Sequence, residues 1–218
     1  MIKEYLNNIN NKETNKLLVS LKSYAIEHNV PIITDDGINF INQMIKIKQV
    51  KSILEIGTAI GYSSLSMALN SDVVITSIER DEVMYKEAIK NIKIAKLEEK
   101  INVIFEDALE LDESNLSKFD LIFIDAAKAQ SIKFFNKYKT RLNDRGLIIT
   151  DNLLFHDLVV TPIRDKNLKQ LVKKIDNFNN FVVEQKEFDT YIYSIGDGMS
   201  LSIKKDVMKW KSLSLHLD

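Results

Sequence analysis

Acidic side chains stand directly after two apolar runs of the sequence, where two predicted strands end. Asp125 follows FDLIFI, and the pair Asp151 and Asn152 follows GLIIT. Two carboxylates and one amide oxygen are hard ligands that suit Mg²⁺, Mn²⁺ or Ca²⁺ better than zinc. Either acid alone could instead cap a helix that follows it. Because both acids stand at consecutive strand ends, we favour a divalent-metal site made by Asp125, Asp151 and Asn152.

Lys128 lies three residues after Asp125, a spacing that can return its side chain to the same cleft after one helical turn. A lysine that is close to a cation and partly removed from water can act as a base, because its neutral form is favoured there. The alternative is an ordinary solvated lysine. We predict that Lys128 and Asp125 are the catalytic pair, on the strength of their spacing.

A glycine-containing turn follows the first apolar run, in the segment LEIGTAIGYS. Gly57 permits a tight turn with a close backbone approach, and Gly61 opens the next helix. The spacing is G-x-x-x-G, and the middle glycine that lets a pyrophosphate approach in dinucleotide enzymes is missing. The pattern therefore favours a nucleoside cofactor without a diphosphate, with S-adenosylmethionine as the candidate, over an ordinary strand-to-helix turn.

Two further acids follow the next two apolar runs. Glu79 ends VVITSIE about twenty residues after the glycine turn, where an acid can accept both ribose hydroxyls of a nucleoside. Asp107 follows INVIFE and could receive the adenine amino group. The alternative for both is a solvated surface acid, because Arg80, Asp81 and Glu106 are adjacent in the sequence.

The elements that must position these residues alternate along the chain. Helices are predicted from Thr14 to His28 and from about Asp36 to Lys48, after which the short apolar runs SILEI, VVITSI, INVIF, DLIFID and GLIIT alternate with amphipathic helices. Continuous apolar runs are typical of strands buried on both faces of a parallel sheet. FVVEQKEF and YIYSIGDGMSLSIKK predict a closing antiparallel pair. The fold class is therefore a doubly wound, Rossmann-like α/β sheet of seven strands, the last antiparallel, with extra N-terminal helices.

Composition excludes several classes of protein. The formal net charge is −1, so no global field attracts nucleic acid or membranes, and the absence of cysteine excludes disulfides and thiolate metal sites. The polar N-terminus lacks the apolar core of a signal peptide, and no apolar run approaches the length of a membrane span. We predict a cytoplasmic protein without a membrane partner, with one domain over residues 1–205 and a tail over 206–218.

As a set, the segments LEIGTAIGYSSLSMA, EDAL, FIDAAK, ITDN and GDGMSLSIKK resemble the cation-dependent class I O-methyltransferases, the family of catechol and caffeoyl-CoA methyltransferases. Within it, the chain is similar to the bacterial branch that contains tRNA 5-hydroxyuridine methyltransferase. The resemblance implies Mg²⁺, a base at Lys128, a homodimer that associates through its N-terminal helices, and a lid over the cofactor at residues 31–40. With the residues argued above, the cofactor-binding set is Ile33, Thr34, Glu55, Gly57, Thr58, Gly61, Ser63, Glu79, Asp107, Ala108 and Asp125.

The leading hypothesis from the resemblance is methylation of a hydroxyl that has a neighbouring oxygen, in 5-hydroxyuridine at the tRNA wobble position, in the anticodon loop. Such a substrate requires a surface that binds phosphate. Two basic clusters are candidates, although both could be solvated helix faces, and His156 could lie at the rim of the cleft. The clusters are Lys133, Lys137, Lys139, Arg141 and Arg145, then Arg164, Lys166, Lys169, Lys173 and Lys174.

Three other functions stay open. A small-molecule methyltransferase for catechol-like acceptors would use the same metal site but needs no affinity for RNA. A catalytically silent cofactor-binding scaffold would not need Asp125, Lys128, Asp151 and Asn152 together. A dehydrogenase is disfavoured by the glycine spacing.

Overall fold

A computed structural model describes the backbone of residues 2–206 and all of their side chains except those of residues 2, 3 and 7. Seven strands form one sheet in the order β3-β2-β1-β4-β5-β7-β6, and β7 runs antiparallel to both of its neighbours. This confirms the predicted fold class. The elements are α1 Ile2–Ile9, α2 Lys16–Glu27, α3 Asp35–Lys48, β1 Ser52–Ile56, α4 Tyr62–Asn70, β2 Val74–Glu79, α5 Glu82–Ala95, β3 Ile101–Phe105, β4 Phe119–Ile124, α6 Ser131–Tyr138, β5 Leu142–Thr150, α7 Lys166–Val183, β6 Phe188–Tyr193 and β7 Met199–Lys204.

The apolar runs of the central strands pack on both faces of the sheet because successive side chains point to opposite sides. In β4, Leu121 and Phe123 join a core with helices α2 to α5, whereas Ile122 and Ile124 join a second core with α6 and α7. The sheet is thereby fixed between two layers of helices. The carboxyl ends of its parallel strands meet at one edge, as the sequence analysis required.

Two element predictions need correction. FVVEQKEF is not a strand, since residues 181–183 complete α7 and β6 begins only at Phe188. Val182 is buried as part of the apolar face of α7, so its apolar neighbours reflect helix packing. The predicted lid loop over residues 31–40 is also shorter, because Thr34 caps α3 by accepting a hydrogen bond from the Gly37 backbone nitrogen.

Two parts of the chain add to the predicted elements or lie outside them. Helix α1 was not predicted from the polar N-terminus, although Tyr5, Leu6 and Ile9 give it an apolar side. The predicted tail lies outside the described residues from position 207 onward. None of the helices within residues 2–206 has the length and apolar content of a membrane span.

Candidate active site

A cavity of about 430 Å³ lies at the carboxyl ends of β1, β2, β4 and β5. Its volume is within the usual range for small-molecule pockets. Two predicted residues, Glu55 and Gly61, are not among those that line it. The predicted site residues that do line it are Ile33, Thr34, Gly57, Thr58, Ser63, Glu79, Asp107, Ala108, Asp125, Lys128, Asp151 and Asn152.

The glycine turn, residues 57–61, connects β1 to α4 at the wall of this cavity. Gly57 has a φ of 99°, and a Cβ atom there would lie 2.1 Å from the Asp125 carbonyl oxygen. Gly61 has a φ of 83° and stands at the N-cap of α4, where an added Cβ would find ordinary contacts at 3.5 Å. A side chain at Gly57 is therefore excluded by the close approach of two strand ends. At Gly61 only the left-handed backbone conformation favours glycine.

Glu55 lies beneath the glycine turn instead of facing the cavity. Its side chain is fully buried and accepts hydrogen bonds from the hydroxyls of Ser63 at 2.5 Å, Ser77 at 2.6 Å and Ser64. Burial raises the pKa of Glu55 to about 7, although these three hydroxyls lower it. Ser63 also lines the cavity, so this hydrogen bond connects the buried Glu55 to the cavity wall.

Glu79 reaches across to the glycine turn with its carboxylate. One oxygen accepts from the backbone nitrogens of Thr58 and Ala59, and the other from those of Arg80 and Asp81, at 2.8–3.2 Å. Four backbone donors occupy the four acceptor positions of an ionised carboxylate. In this arrangement Glu79 holds the turn, so a ribose would have to displace some of these bonds.

Asp107 lies at another side of the cavity, paired with Arg80. Its carboxylate accepts from the Leu109 backbone nitrogen at 2.8 Å and from the Arg80 guanidinium at 3.0 Å. The Leu109 hydrogen bond and the nearby Arg80 charge together lower the pKa of Asp107, against the opposing effect of desolvation. An ionised acceptor here suits an exocyclic amino group, but Arg80 competes for the same carboxylate.

The proposed metal ligands stand together at the ends of β4 and β5. The Asn152 amide nitrogen donates to Asp125 at 2.9 Å, and Asp151 accepts from the Asn152 backbone nitrogen at 2.6 Å. Burial first, and then the charge of Asp125, raise the pKa of Asp151 to about 7. Burial also raises the pKa of Asp125, and Lys128 opposes this. Neither acid caps a helix, because the next helices have Ala127 and Asp165 at their N-caps.

This donor set fits a hard divalent cation. Asp151 is buried and Asp125 is half-buried, and the charge of Asp125 disfavours ionisation of Asp151. A positive ion between the two carboxylates would stabilise both of them in the ionised form. The amide of Asn152 can present either its nitrogen or its oxygen after a half-turn, and the two are assigned from hydrogen bonds. Across residues 2–206, no group of three His, Cys, Asp or Glu side chains has metal-binding geometry. A bound ion would therefore depend on the amide as its third protein ligand.

Lys128 stands in the short 3₁₀ helix Lys128–Gln130 at the cavity wall. Its Nζ lies 5.6 Å from the centre of the Phe155 ring, which is within the range of a cation–π contact. Phe155, His156 and Asp157 all have positive φ values, of 46°, 56° and 62°. A left-handed conformation costs about 1–2 kcal/mol for each such residue, so this turn needs support from its surroundings.

Asp197 is a cavity residue that sequence reasoning missed. It lies between β6 and β7 and accepts a hydrogen bond from the His156 backbone nitrogen at 2.5 Å, while its other carboxylate oxygen is buried without a partner among the described residues. The signal was present in IGDGM, where two glycines flank an acid. Nothing in the sequence indicated that this turn would meet the segment after Asn152. The His156 side chain is 79% exposed and borders the cavity, in agreement with its predicted place at the rim.

The two predicted basic clusters differ in how far their side chains are engaged by other residues of the protein. In the first, Lys137 donates to the Leu109 carbonyl at 2.6 Å, Lys139 pairs with Glu187 at 3.3 Å, and Arg141 lies 3.4 Å from two carbonyls. These three side chains are engaged within the protein and do not form a free phosphate-binding surface. In the second cluster all five residues are exposed, and none makes an ion pair with another described residue.

Comparison with known proteins decides the class of enzyme. The model of a family described as O-methyltransferase matches residues 8–205. The chain belongs to the O-methyltransferase family. This membership confirms the predicted enzyme, an O-methyltransferase that uses S-adenosylmethionine, and it excludes the dehydrogenase.

Individual relatives of this O-methyltransferase are of the caffeoyl-CoA type. The caffeoyl-CoA O-methyltransferase of Populus kitakamiensis is 29% identical over 83% of this chain and 80% of its own. A Staphylococcus aureus structure provisionally described as a caffeoyl-CoA O-methyltransferase is 39% identical, with a TM-score of 0.84 over 94% of this chain and 97% of its own. A Bacillus cereus O-methyltransferase in complex with SAH shares the fold, at 22% identity and a TM-score of 0.80 over 94% of this chain and 97% of its own.

Proposed function

We propose that the protein methylates one hydroxyl of a small acceptor that carries two adjacent oxygen atoms, as a catechol does, with the help of a divalent cation such as Mg²⁺. The observation that carries this proposal is a single cavity with two chemically different walls. One wall has the glycine turn and Glu79, and the other has Asp125, Asp151 and Lys128. The caffeoyl-CoA-type relatives support a small acceptor over the tRNA substrate that the sequence first suggested.

Each residue then has a defined part in the reaction. A divalent cation held by Asp125, Asp151 and Asn152 would supply charge that lowers the pKa of the acceptor hydroxyl. Lys128 accepts the hydroxyl proton on Nζ, and the oxygen attacks the methyl carbon as the carbon–sulfur bond of the sulfonium breaks. The glycine turn holds the nucleoside, together with Glu79 once a ribose has displaced part of its hydrogen bonds to backbone nitrogens, so that the methyl group and the oxygen are in line. Proximity of the two reactants is expected to supply much of the rate acceleration.

The direct test is transfer of a labelled methyl group to a simple catechol in the presence of Mg²⁺ or EDTA. We expect transfer that depends on Mg²⁺ and is lost in Asp151→Ala. Asp144→Ala is the matched control, because Asp144 is an 88% exposed acid on β5, the strand that precedes Asp151. Full activity of Asp151→Ala without added metal, at saturating substrates, would contradict the metal site.

The role of Lys128 is tested separately with Lys128→Met. We expect kcat to fall about 10²–10⁴-fold, the usual contribution of general acid–base catalysis, while affinity for the SAH product is retained. Lys133→Met is the control, because Lys133 is an exposed lysine on the neighbouring helix α6. Equal activity of the two variants would show that Lys128 is not the base.

A second candidate acceptor is 5-hydroxyuridine in the anticodon loop of tRNA, whose 5-hydroxyl and O4 form a similar oxygen pair. The exposed residues of the second basic cluster favour it, and α7, which carries four of them, packs against the 3₁₀ helix of Lys128. A basic face next to the cavity is where a phosphate backbone would be held while a base enters the site.

The tRNA candidate is tested by adding hypomethylated tRNA to the same assay. Label mapped to a 5-oxyuridine, together with loss of tRNA binding in Lys169→Glu/Lys173→Glu, would support it. Lys46→Glu/Lys48→Glu is the matched control, since it makes the same charge change with exposed lysines at the end of α3. Label in catechol alone would leave the basic face of α7 as solvated surface.

We also propose that the protein is a homodimer that associates through its N-terminal helices, as the family resemblance implied. Helix α1 supports this, because Tyr5, Leu6 and Ile9 are 63%, 42% and 59% exposed. Their spacing places all three on one side of the helix. An apolar helix side left in water favours association with a second copy.

A further inference from the structure

The turn between β6 and β7, residues 194–198, lies between the cofactor side and the acceptor side of the cavity. On one side, a Cβ atom added to Gly196 would lie 2.5 Å from the Thr34 hydroxyl oxygen. On the other side, a Cβ atom added to Gly198 would lie 2.7 Å from the Leu154 backbone nitrogen. Both glycines also have positive φ values, of 59° and 90°. Close packing on two sides therefore fixes the position of Asp197 between them.

Three hydrogen bonds join this turn to the segment that follows Asn152. The backbone nitrogen of Leu153 donates to the Gly198 carbonyl at 2.9 Å, and that of Leu154 donates to the Asp197 carbonyl at 2.8 Å. The His156 backbone nitrogen donates to the Asp197 carboxylate at 2.5 Å. The first two bonds fix the part of the segment before the left-handed turn at residues 155–157. The Asp197 side chain is what joins the hairpin to the turn itself, through the His156 nitrogen and, at 3.5 Å, the His156 ring Nδ1. Within the turn, the Leu158 backbone nitrogen also donates to the Phe155 carbonyl at 3.1 Å.

The left-handed turn decides where the Phe155 ring lies. The ring stacks beside Lys128 with its centre 5.6 Å from Nζ, and Phe155 is not among the residues that line the cavity. It is therefore placed to limit where Lys128 can go, and not to contact an acceptor. If residues 155–157 relaxed to ordinary φ values, the direction of the chain at Phe155 would change and this contact would be lost.

We propose that Asp197 is a positioning residue, which holds the turn at residues 155–157 through the His156 backbone nitrogen and thereby keeps the Phe155 ring against Lys128. Asp197 lines the cavity and its charge also acts on Asp151, but the role proposed for it is carried by its contact with the turn. The part that concerns catalysis rests on the proposed function of Lys128. The part that concerns the turn does not, since it can be measured without any substrate.

The first test is amide hydrogen exchange of residues 153–158, which requires neither acceptor nor metal. In Asp197→Ala, exchange of the His156 amide should become at least about tenfold faster, the effect of losing a hydrogen bond to a charged group. Asp197→Asn keeps a neutral oxygen acceptor, which makes a weaker hydrogen bond, so its exchange should lie between those of the natural protein and Asp197→Ala. Asp189→Ala is the matched control, because it removes an exposed acid from β6 of the same hairpin.

The second test is kinetic. Asp197→Ala should lower kcat/KM for the acceptor by about tenfold, while SAH affinity changes less than about twofold. Adding Phe155→Leu to Asp197→Ala should cause little further loss, because both changes remove the same support from Lys128.

Several outcomes would overturn the proposal. Unchanged exchange in Asp197→Ala would show that the turn holds itself. Exchange in Asp197→Asn as fast as in Asp197→Ala would show that the charge matters and the hydrogen bond does not. Fully additive kinetic losses from Asp197→Ala and Phe155→Leu would show that Asp197 does not act through the ring. Normal catalysis in Lys128→Met with fast exchange in Asp197→Ala would overturn the role of Lys128 and keep that of the turn.

Discussion

Glu55 illustrates how a residue can belong to a site without facing it. The sequence motif placed this acid beside the cofactor, but the alternation of β1 directs its side chain under α4, where three serine hydroxyls bind it. The three hydroxyls satisfy the hydrogen-bonding capacity of this carboxylate, but its removal from water still disfavours the ionised form. Its ionisation is therefore linked to folding.

The stability of the protein is expected to fall as pH rises from about 4.5 to about 7, in part because of Glu55. The folded pKa of about 7 lies above the ordinary value of 4.5, so in this window the folded state holds a proton that the unfolded state has released. By linkage, rising pH then favours unfolding, by up to roughly 3 kcal/mol for this group. Glu55→Gln should flatten the slope, as measured by denaturant unfolding at several pH values.

The comparison must be the difference between the natural protein and Glu55→Gln, because Asp151 titrates in the same window. Equal slopes for the two proteins would mean that Glu55 is ionised in the folded state throughout. Retained SAH binding by the variant would be consistent with a supporting role under the glycine turn.

The sequence could locate some of the cavity residues and not others. The common location of Asp125, Asp151, Asn152 and Lys128 at the cavity could be predicted, because each stands at or just after a strand end and a parallel sheet gathers such ends at one edge. Asp197 could not be found, since its role depends on a hairpin turn meeting a segment about forty residues earlier in the chain. No local pattern encodes such a contact.

At the scale of elements, the glycine turn between β1 and α4 depends on the neighbouring strand as much as on its own sequence. Gly57 donates its backbone N–H to the Ile78 carbonyl at 3.0 Å, and its Cα faces the Asp125 carbonyl. The ends of β1, β2 and β4 thus meet at Gly57, which has no side chain to keep them apart. The strands themselves were predictable from their apolar runs, whereas the short strand β6 was misplaced because apolar residues at the end of α7 imitate a strand.

Alanine substitutions at the two glycines should therefore differ sharply. Gly57→Ala should destabilise the protein by roughly 3 kcal/mol and abolish SAH binding, because the new Cβ would overlap a backbone oxygen. Gly61→Ala should cost only about 1 kcal/mol, since its Cβ meets ordinary contacts and only the positive φ is unfavourable. Thermal unfolding and titration calorimetry with SAH would measure both effects. Equal losses in the two variants would rule out close approach as the reason for Gly57.

At the scale of the whole molecule, the two helical layers leave α1 with an apolar side in solvent. The polar composition of the first sixteen residues hid this helix from sequence reasoning, because three apolar residues within one turn are too few to establish a period. The sheet order, by contrast, follows from the alternation of strands and helices, which permits few topologies.

We expect the natural protein to sediment as a dimer at micromolar concentration and the variant Tyr5→Ser/Ile9→Asn to sediment as a monomer. The two substitutions remove the apolar side of α1 without touching either core. Sedimentation velocity of both proteins would test this. A monomeric natural protein would contradict the dimer, and a dimeric variant would place the interface elsewhere.

The contact between Gly196 and Thr34 also has a consequence for synthesis of the protein in the cell. Thr34 and Asp197, the neighbour of Gly196, both line the cavity, but Thr34 is synthesised before β1 and Asp197 only after β5 and β6. A growing chain that has made every strand up to β5 still lacks one side of the cavity. The cavity is therefore complete only when the last hairpin has been made, and until then β1 to β5 are stabilised by burial of their own apolar side chains.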